Sequence, residues 1–195
     1  MNQVTKALNS KYFILLLLGL PLLAVTLRYL AGSLYYGEYL HVTGEFSARL
    51  LLVTLAVTPL SLAWPKQRWT QWLRQRRRYL GVATFAYALP HLAAYLVKLG
   101  KLSEIVNDAV EPGIWTGWLA ILLFVPLALT SNNSAARRLG PRWKTLHRLV
   151  YAAALLSFAH WILIAFNPGP GWAHLSVLVA LETFRVFKTR RSRGN

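Results

Sequence analysis

LGPRWKTLHRLVYAAALLSFAHWILIAF, residues 139–166, decides the fold. It reads as one membrane-spanning helix with a histidine near each end, His147 and His160. Pro141 suits the first helical turn, where its missing N–H has no intrahelical partner to lose. Residues 149–166 carry no charge, and that run is long enough to cross a hydrocarbon core of about 30 Å. A titratable ring inside hydrocarbon is costly, so an intramembrane histidine such as His160 counts as a functional-site candidate.

The composition agrees with a membrane setting. Of 195 residues, 55% are hydrophobic and 14% charged, where a soluble domain carries about 25% charge. Mean hydropathy is +0.38. The chain is expected to be an integral membrane protein. It has no cysteine, which excludes disulfides, iron–sulfur clusters, thiolate-held metals and covalently attached c-type haem. Met1 is the only methionine, so histidine is left as the side chain for holding a haem.

The remaining apolar runs fall on either side of this helix. Residues 12–27 form the first, and a signal peptide is the rival reading of it. Residues 50–64 form the second. A basic, tryptophan-rich loop over 64–79 leads to the third run, 80–99, with His91 inside it. Pro90 removes a backbone hydrogen bond there and is expected to kink the helix. An acidic loop over 101–111 precedes the fourth run, 114–130. After the fifth, Asn167-Pro-Gly-Pro-Gly171 reads as a tight turn. The sixth run, 172–187, enters the basic tail. The predicted fold is an all-α integral membrane protein, a six-transmembrane-helix bundle with both termini cytoplasmic and no internal repeat.

Charge placement sets that orientation. With both ends inside, the outer segments keep only Arg28, Arg49, Lys98 and Lys101 of the 22 basic residues, and every acidic residue except Glu182. This is the positive-inside asymmetry. It accounts for most of the +16 net charge and the pI near 10.8 without nucleic acid.

Depth follows from the orientation. His91 lies 12 residues into its helix, roughly 18 Å at 1.5 Å per residue. His160 lies 13 residues past His147, roughly 20 Å. Two histidines level with each other on two helices are what a bis-histidine haem needs, one for each axial side of the iron. Thr84, Ala88 and Tyr95 share a stripe with His91; Ala153, Ser157 and Ile164 share one with His160. Their small members leave room for a flat macrocycle. The plainer reading is close helix packing. His147 is offset from His160 by roughly 140° around an ideal helix. It reads either as a ligand of a second haem near the inner face or as an interfacial histidine beside Arg148. His41 and His174 read as solvated outer-face residues. The cluster Arg74, Arg76, Arg77, Arg78, Arg137, Arg138 and Arg142 reads first as topology and anionic-lipid contact. A sharper reading has Arg77 and Arg78 pairing with haem propionates or a flavin phosphate.

Several segments resemble one known family. They are HVTGEFSARLLLVTLAVTPL from His41, RRRYLGVATFAYALPHLAAYLVKLG from Arg76, and LALTSNNSAARRLGPRWKTLHRLVYAAALLSFAHW from Leu127. The chain resembles the MsrQ (YedZ) family, haem-binding membrane subunits of the bacterial protein-methionine-sulfoxide reductase system, within the ferric-reductase-like transmembrane group. The resemblance implies a single such domain over 1–195, with a haem-binding core at about 44–167 and a basic cytoplasmic tail at 188–195. It implies a bacterial inner-membrane, multi-pass protein holding one or two b-type haems through His91, His147 and His160. Electrons would pass outward to a periplasmic molybdopterin methionine-sulfoxide reductase. Family members are also associated with FMN and the quinone pool, though no motif here matches either.

No Gly-rich dinucleotide fingerprint occurs, and the sequence ends eight residues after Phe187. The electron donor is therefore expected to be quinol or a separate cytoplasmic flavin reductase. Two rival functions stay open. One is a self-contained ferric or quinone reductase cytochrome, an enzyme in its own right. The other is a cofactor-free membrane transporter whose histidines relay protons.

Overall fold

The computed structural model describes residues 10–192. The polar start with Lys6, and Arg193 near the end of the basic tail, lie outside the described residues. Every regular element among the described residues is helical: α1 (Lys11–Leu30), α2 (Tyr36–Ala63), α3 (Arg68–Leu99), α4 (Leu102–Asp108), α5 (Pro112–Leu129), α6 (Asn133–Leu139), α7 (Pro141–His147), α8 (Leu149–Ile164) and α9 (Gly169–Arg191). Five segments are long and apolar enough to cross a membrane: α1, α2, α3, α5 and the α7–α8 pair taken as one. The protein is a multi-pass membrane protein.

Three differences from the sequence expectation have physical causes. The basic loop expected over 64–79 is helical from Arg68 onward. Arginine, glutamine and leucine are good helix formers, and Pro65 falls before the helix starts. The Thr70 hydroxyl closes the first turn by donating to the carbonyls of Trp64 and Gln67, at 2.7 and 2.9 Å. The helix expected over 139–166 divides at Arg148. There the Arg148 N–H reaches Thr145 O and the Tyr151 N–H reaches Arg148 O, at 3.2 and 3.1 Å. These three-residue spacings tighten the helix for about one turn. The sixth expected span is the helix α9, which carries His174, Glu182 and Arg185 and falls outside the five apolar spans.

Glycines at positive φ make several of the tight turns. Gly100 ends α3 at φ 69° and Gly140 separates α6 from α7 at φ 53°; both are conformations that a Cβ penalises. Asn132 caps α6, its side-chain oxygen accepting from the Ala135 N–H at 2.8 Å, and so satisfies one of the free donors at the helix start.

The core sits where α2, α5, α8 and α9 meet. Leu51, Leu55, Phe124, Leu127, Ala153, Ala154, Phe158 and Leu178 are buried there. Ala153, Ala154 and Phe158 have no exposure at all. Alanine pairs let helices approach closely, as membrane interfaces favour. Pro90 lies inside α3, which runs on unbroken past it. The first helix lies on the outside of this bundle. It is tied by the Tyr87 hydroxyl donating to Leu18 O at 3.0 Å and by Tyr29 stacked on Tyr39 at 4.3 Å. Its leucines 15, 16, 17, 20, 23 and 27 stay exposed, as residues facing lipid would.

Candidate functional site

Two histidines from different helices meet inside the bundle. His91 on α3 and His160 on α8 have ring centroids 6.1 Å apart, with ring planes at 85°. Both line one cavity of about 470 Å3, within the roughly 300–1,000 Å3 of small-molecule and cofactor sites. The stripes read from the sequence divide between lining and core. Ala88, Tyr95, Ser157 and Ile164 line this cavity with the histidines, whereas Ala153 is wholly in the core.

The hydrogen bonds fix which nitrogen of each ring is available. His91 Nδ1 lies 2.9 Å from Leu40 O, and His160 Nδ1 lies 2.6 Å from Gly113 O. A carbonyl only accepts, so both Nδ1 atoms carry the proton and both Nε2 atoms keep their lone pairs. A ligand histidine is held this way when a backbone carbonyl orients it and raises its basicity. Among the described residues no group of three or more His, Cys, Asp or Glu is placed to hold a metal ion. A bare ion such as zinc needs about three or four protein ligands. Two imidazoles instead suit an iron that brings its own four equatorial nitrogens. Two metal–nitrogen bonds of about 2 Å, with about 1 Å more from each nitrogen to its ring centre, give about 6 Å between centroids. The 6.1 Å separation matches that span.

His147 is placed elsewhere. It lines a second cavity of about 700 Å3 with Arg74, Arg77, Arg78, Lys144, Arg148, Trp143 and Tyr151. Its ring stacks on Trp143 at 3.9 Å, and Nε2 lies 3.0 Å from the Thr130 hydroxyl oxygen. That hydroxyl already donates to Pro126 O at 2.6 Å. Nε2 must therefore be the donor, leaving the lone pair on Nδ1, the reverse of His91 and His160. Thr84 also faces this second cavity, and Phe124 lines both.

The arginines singled out from the sequence are tied to protein groups. Arg77 donates from Nε to Thr54 O at 3.1 Å and from Nη1 to the Thr58 hydroxyl at 3.2 Å. Arg78 donates to Asn133 Oδ1 at 2.6 Å. Of the remaining histidines, His41 pairs with Glu45 at 3.7 Å and His174 donates to Pro170 O at 2.6 Å.

The sequence reading missed the groups that hold the two rings. Gly44 and Gly117 lie directly against His91 and His160, and Thr43 and Thr116 are buried beside them. The signal was present as a Thr-Gly pair in each of two apolar helices, but only packing shows what it faces.

A membrane bundle with paired imidazoles over one cavity defines a class of cofactor-binding transmembrane domain. The sequence profile of the family described as "Ferric reductase like transmembrane component" matches residues 43–168, which takes in both rings, the whole of the His147 cavity and most of the other. The chain belongs to that family. Within it, the sequence is similar to the protein-methionine-sulfoxide reductase heme-binding subunits MsrQ of Brucella ovis, Brucella canis and Brucella suis. Each is 37% identical over 150 residues, covering 75% of this chain and 66% of the relative. The chain thus spans about two thirds of the length of these relatives. No solved structure matches it.

Proposed function

We propose that the protein is a b-type haem electron-transfer subunit of a bacterial inner membrane, with His91 and His160 as axial ligands of one haem. The observation that carries this is the pair of rings 6.1 Å apart, each with Nδ1 committed to a carbonyl and Nε2 left as base. Haem supplies reversible one-electron chemistry at its iron. The chain's own part is to hold two neutral imidazoles at fixed positions, keep their tautomers, and surround them with apolar wall. The family membership and the haem-binding role of the Brucella relatives support the same reading.

The six-span topology with both termini cytoplasmic is part of this proposal, with α9 as the sixth span and 188–195 as a basic inner tail. A single domain is proposed over 1–195, its haem-binding core at about 44–167. Electrons enter on the inner side, from quinol or a cytoplasmic flavin reductase, and leave to a periplasmic molybdoenzyme that reduces protein methionine sulfoxide. The inner cavity suits a second cofactor carrying an anionic group, a further haem or FMN, because several cations line it. Arg77 and Arg78 would flank that group. His147 would serve iron there through Nδ1, or through Nε2 only after leaving Thr130.

A reduced-minus-oxidised spectrum of the purified protein, with haem quantified per chain, tests the proposal. A Soret band shifting on reduction, with at least one haem per chain, is expected. Colourless protein after expression with adequate haem supply overturns it.

A further inference from the structure

The two histidines are held by the same small device, used twice. On α2 the hexapeptide Tyr39-Leu-His-Val-Thr-Gly44 faces His91; on α5 the hexapeptide Pro112-Gly-Ile-Trp-Thr-Gly117 faces His160. Position two of each, Leu40 or Gly113, offers the carbonyl that accepts from the ring Nδ1. Position five is a buried threonine that donates back to the carbonyls of positions one and two. Position six is the glycine beneath the ring. A Cβ on Gly44 would lie 3.0 and 3.1 Å from Cε1 and Nδ1 of His91. A Cβ on Gly117 would lie 2.7 and 2.9 Å from Nδ1 and Cε1 of His160. At both positions the three nearest neighbours are all ring atoms of the one histidine.

This is a short internal repeat that the sequence pattern alone did not disclose. In each copy a helix bearing the hexapeptide packs against a later helix bearing the histidine: α2 with α3, α5 with α8. With the orientation given above, both hexapeptides start at the outer side, so the copies run in the same direction. Parallel repeats of this kind are related by an axis along the membrane normal, and the two rings face the cavity between them.

We propose that Thr43–Gly44 and Thr116–Gly117 are paired ring seats, which fix the plane of each imidazole and the strength of its Nδ1 hydrogen bond. They are positioning residues that act through His91 and His160, and the proposal rests on the haem reading above. The glycine admits the ring to contact with the helix backbone; the carbonyl one turn earlier then pins its rotation. The threonine hydroxyl shares that carbonyl with the ring N–H. Less acceptor strength is then left for the histidine, which keeps the ligand closer to neutral imidazole than to imidazolate. The seats are graded. Gly117 is the tighter, since contacts under 3.0 Å force a movement, whereas those at Gly44 need only a small one.

The test uses the full chain in detergent, carrying Gly117→Ala, Gly44→Ala, Thr116→Val or, as control, Gly19→Ala. Gly19 lies on α1 away from both cavities, and a Cβ there meets nothing within 4 Å. Three readouts are taken: haem per chain, the paramagnetic resonance spectrum of the ferric state, which reports the angle between the two ring planes, and the midpoint potential. Gly117→Ala is expected to lose most of its haem, or to keep it with a changed resonance spectrum. Gly44→Ala shows the same in weaker form, and Gly19→Ala matches the unmutated protein. Thr116→Val, close in shape, is expected to keep its haem and lower the midpoint potential, because the freed carbonyl pulls harder on the His160 N–H. It decides the matter if Gly117→Ala does not accumulate. Unchanged haem, resonance and potential in Gly44→Ala and Thr116→Val overturn the seats while leaving the haem reading intact. Unmutated protein without haem overturns the haem reading itself.

Discussion

The two cavities differ in how each treats its histidines. In the one that the proposed topology puts on the outer side, lined by His91 and His160, two rings present the same tautomer, and the wall around them is largely apolar. In the inner one, a single ring has the reverse tautomer, stacks on Trp143, and shares its wall with several cations. A backbone carbonyl commits a ring to one proton position; a hydroxyl already used as a donor commits it to the other. The contrast shows that three histidines in membrane helices are not three equal ligands. Backbone carbonyls leave Nε2 as the free base on two of them, and the third is built into the protein's own hydrogen-bond network.

The most severe way to break this comparison is to remove an outer ring. His91→Ala and His160→Ala are each expected to abolish the low-spin, six-coordinate spectrum of the outer haem, seen as loss of its sharp reduced α-band. His41 also lines this cavity, but its side chain is largely exposed and pairs with Glu45 at 3.7 Å, so it is not placed to replace either ring. Retention of that band in either variant removes the axial assignment.

Next in size is the wall between the cavities. Phe124 is buried and lines both. Phe124→Ala is expected to cost about 3–5 kcal/mol, the usual range for emptying a packed aromatic site. Unfolding in detergent followed by tryptophan fluorescence measures it. A cost below about 1 kcal/mol, small against that range, would mean the two cavities are already one space.

What the sequence made legible here, and what it hid, follows the same division. The helices announced themselves because uncharged runs of bilayer length have few other uses. His91 and His160 were legible because a constant rise per residue converts position into depth. Rotation around the helix was less secure. His147 lines a different cavity from His160, but the tightened turn at Arg148 between them left no plain mark in the sequence. The polar helix α9 also blurred the count, because Glu182 and Arg185 pair with each other at 2.7 Å inside it. Gly44 and Gly117 stayed hidden for a different reason: a glycine's role is defined by what approaches it, and that lies on another helix.

Of smaller size is the effect of Arg77. Its two donors bind α3 to α2 through Thr54 O and the Thr58 hydroxyl. Arg77→Gln is expected to lower stability by about 1–3 kcal/mol, the range for breaking hydrogen bonds to a charged group, and to leave the outer spectrum in place. Thermal unfolding monitored beside the Soret band separates the two. Arg78→Gln breaks a contact to exposed Asn133 instead, and its stability cost is expected to be under about 1 kcal/mol, as surface pairs usually are.

The smallest effect expected on the outer haem is that of His147→Ala, and this makes it the sharpest test of the contrast. If the third histidine were a ligand of equal standing, its loss would change the outer spectrum or the haem content at that site. The geometry argues against this. His147 lies 13 residues before His160, a helical rise of roughly 20 Å, and its protonated Nε2 is spent on Thr130. To bind iron through Nε2, the ring would have to give up that proton and its contact with Trp143. His147→Ala is therefore expected to leave the outer α-band and its midpoint potential unchanged. Any loss should appear in a component that titrates separately. A redox titration of the purified variant, resolved at two wavelengths, distinguishes the cases. Should the outer component itself shift, the two cavities act as one site, and the tautomers that set them apart in this fold would not persist in the loaded protein.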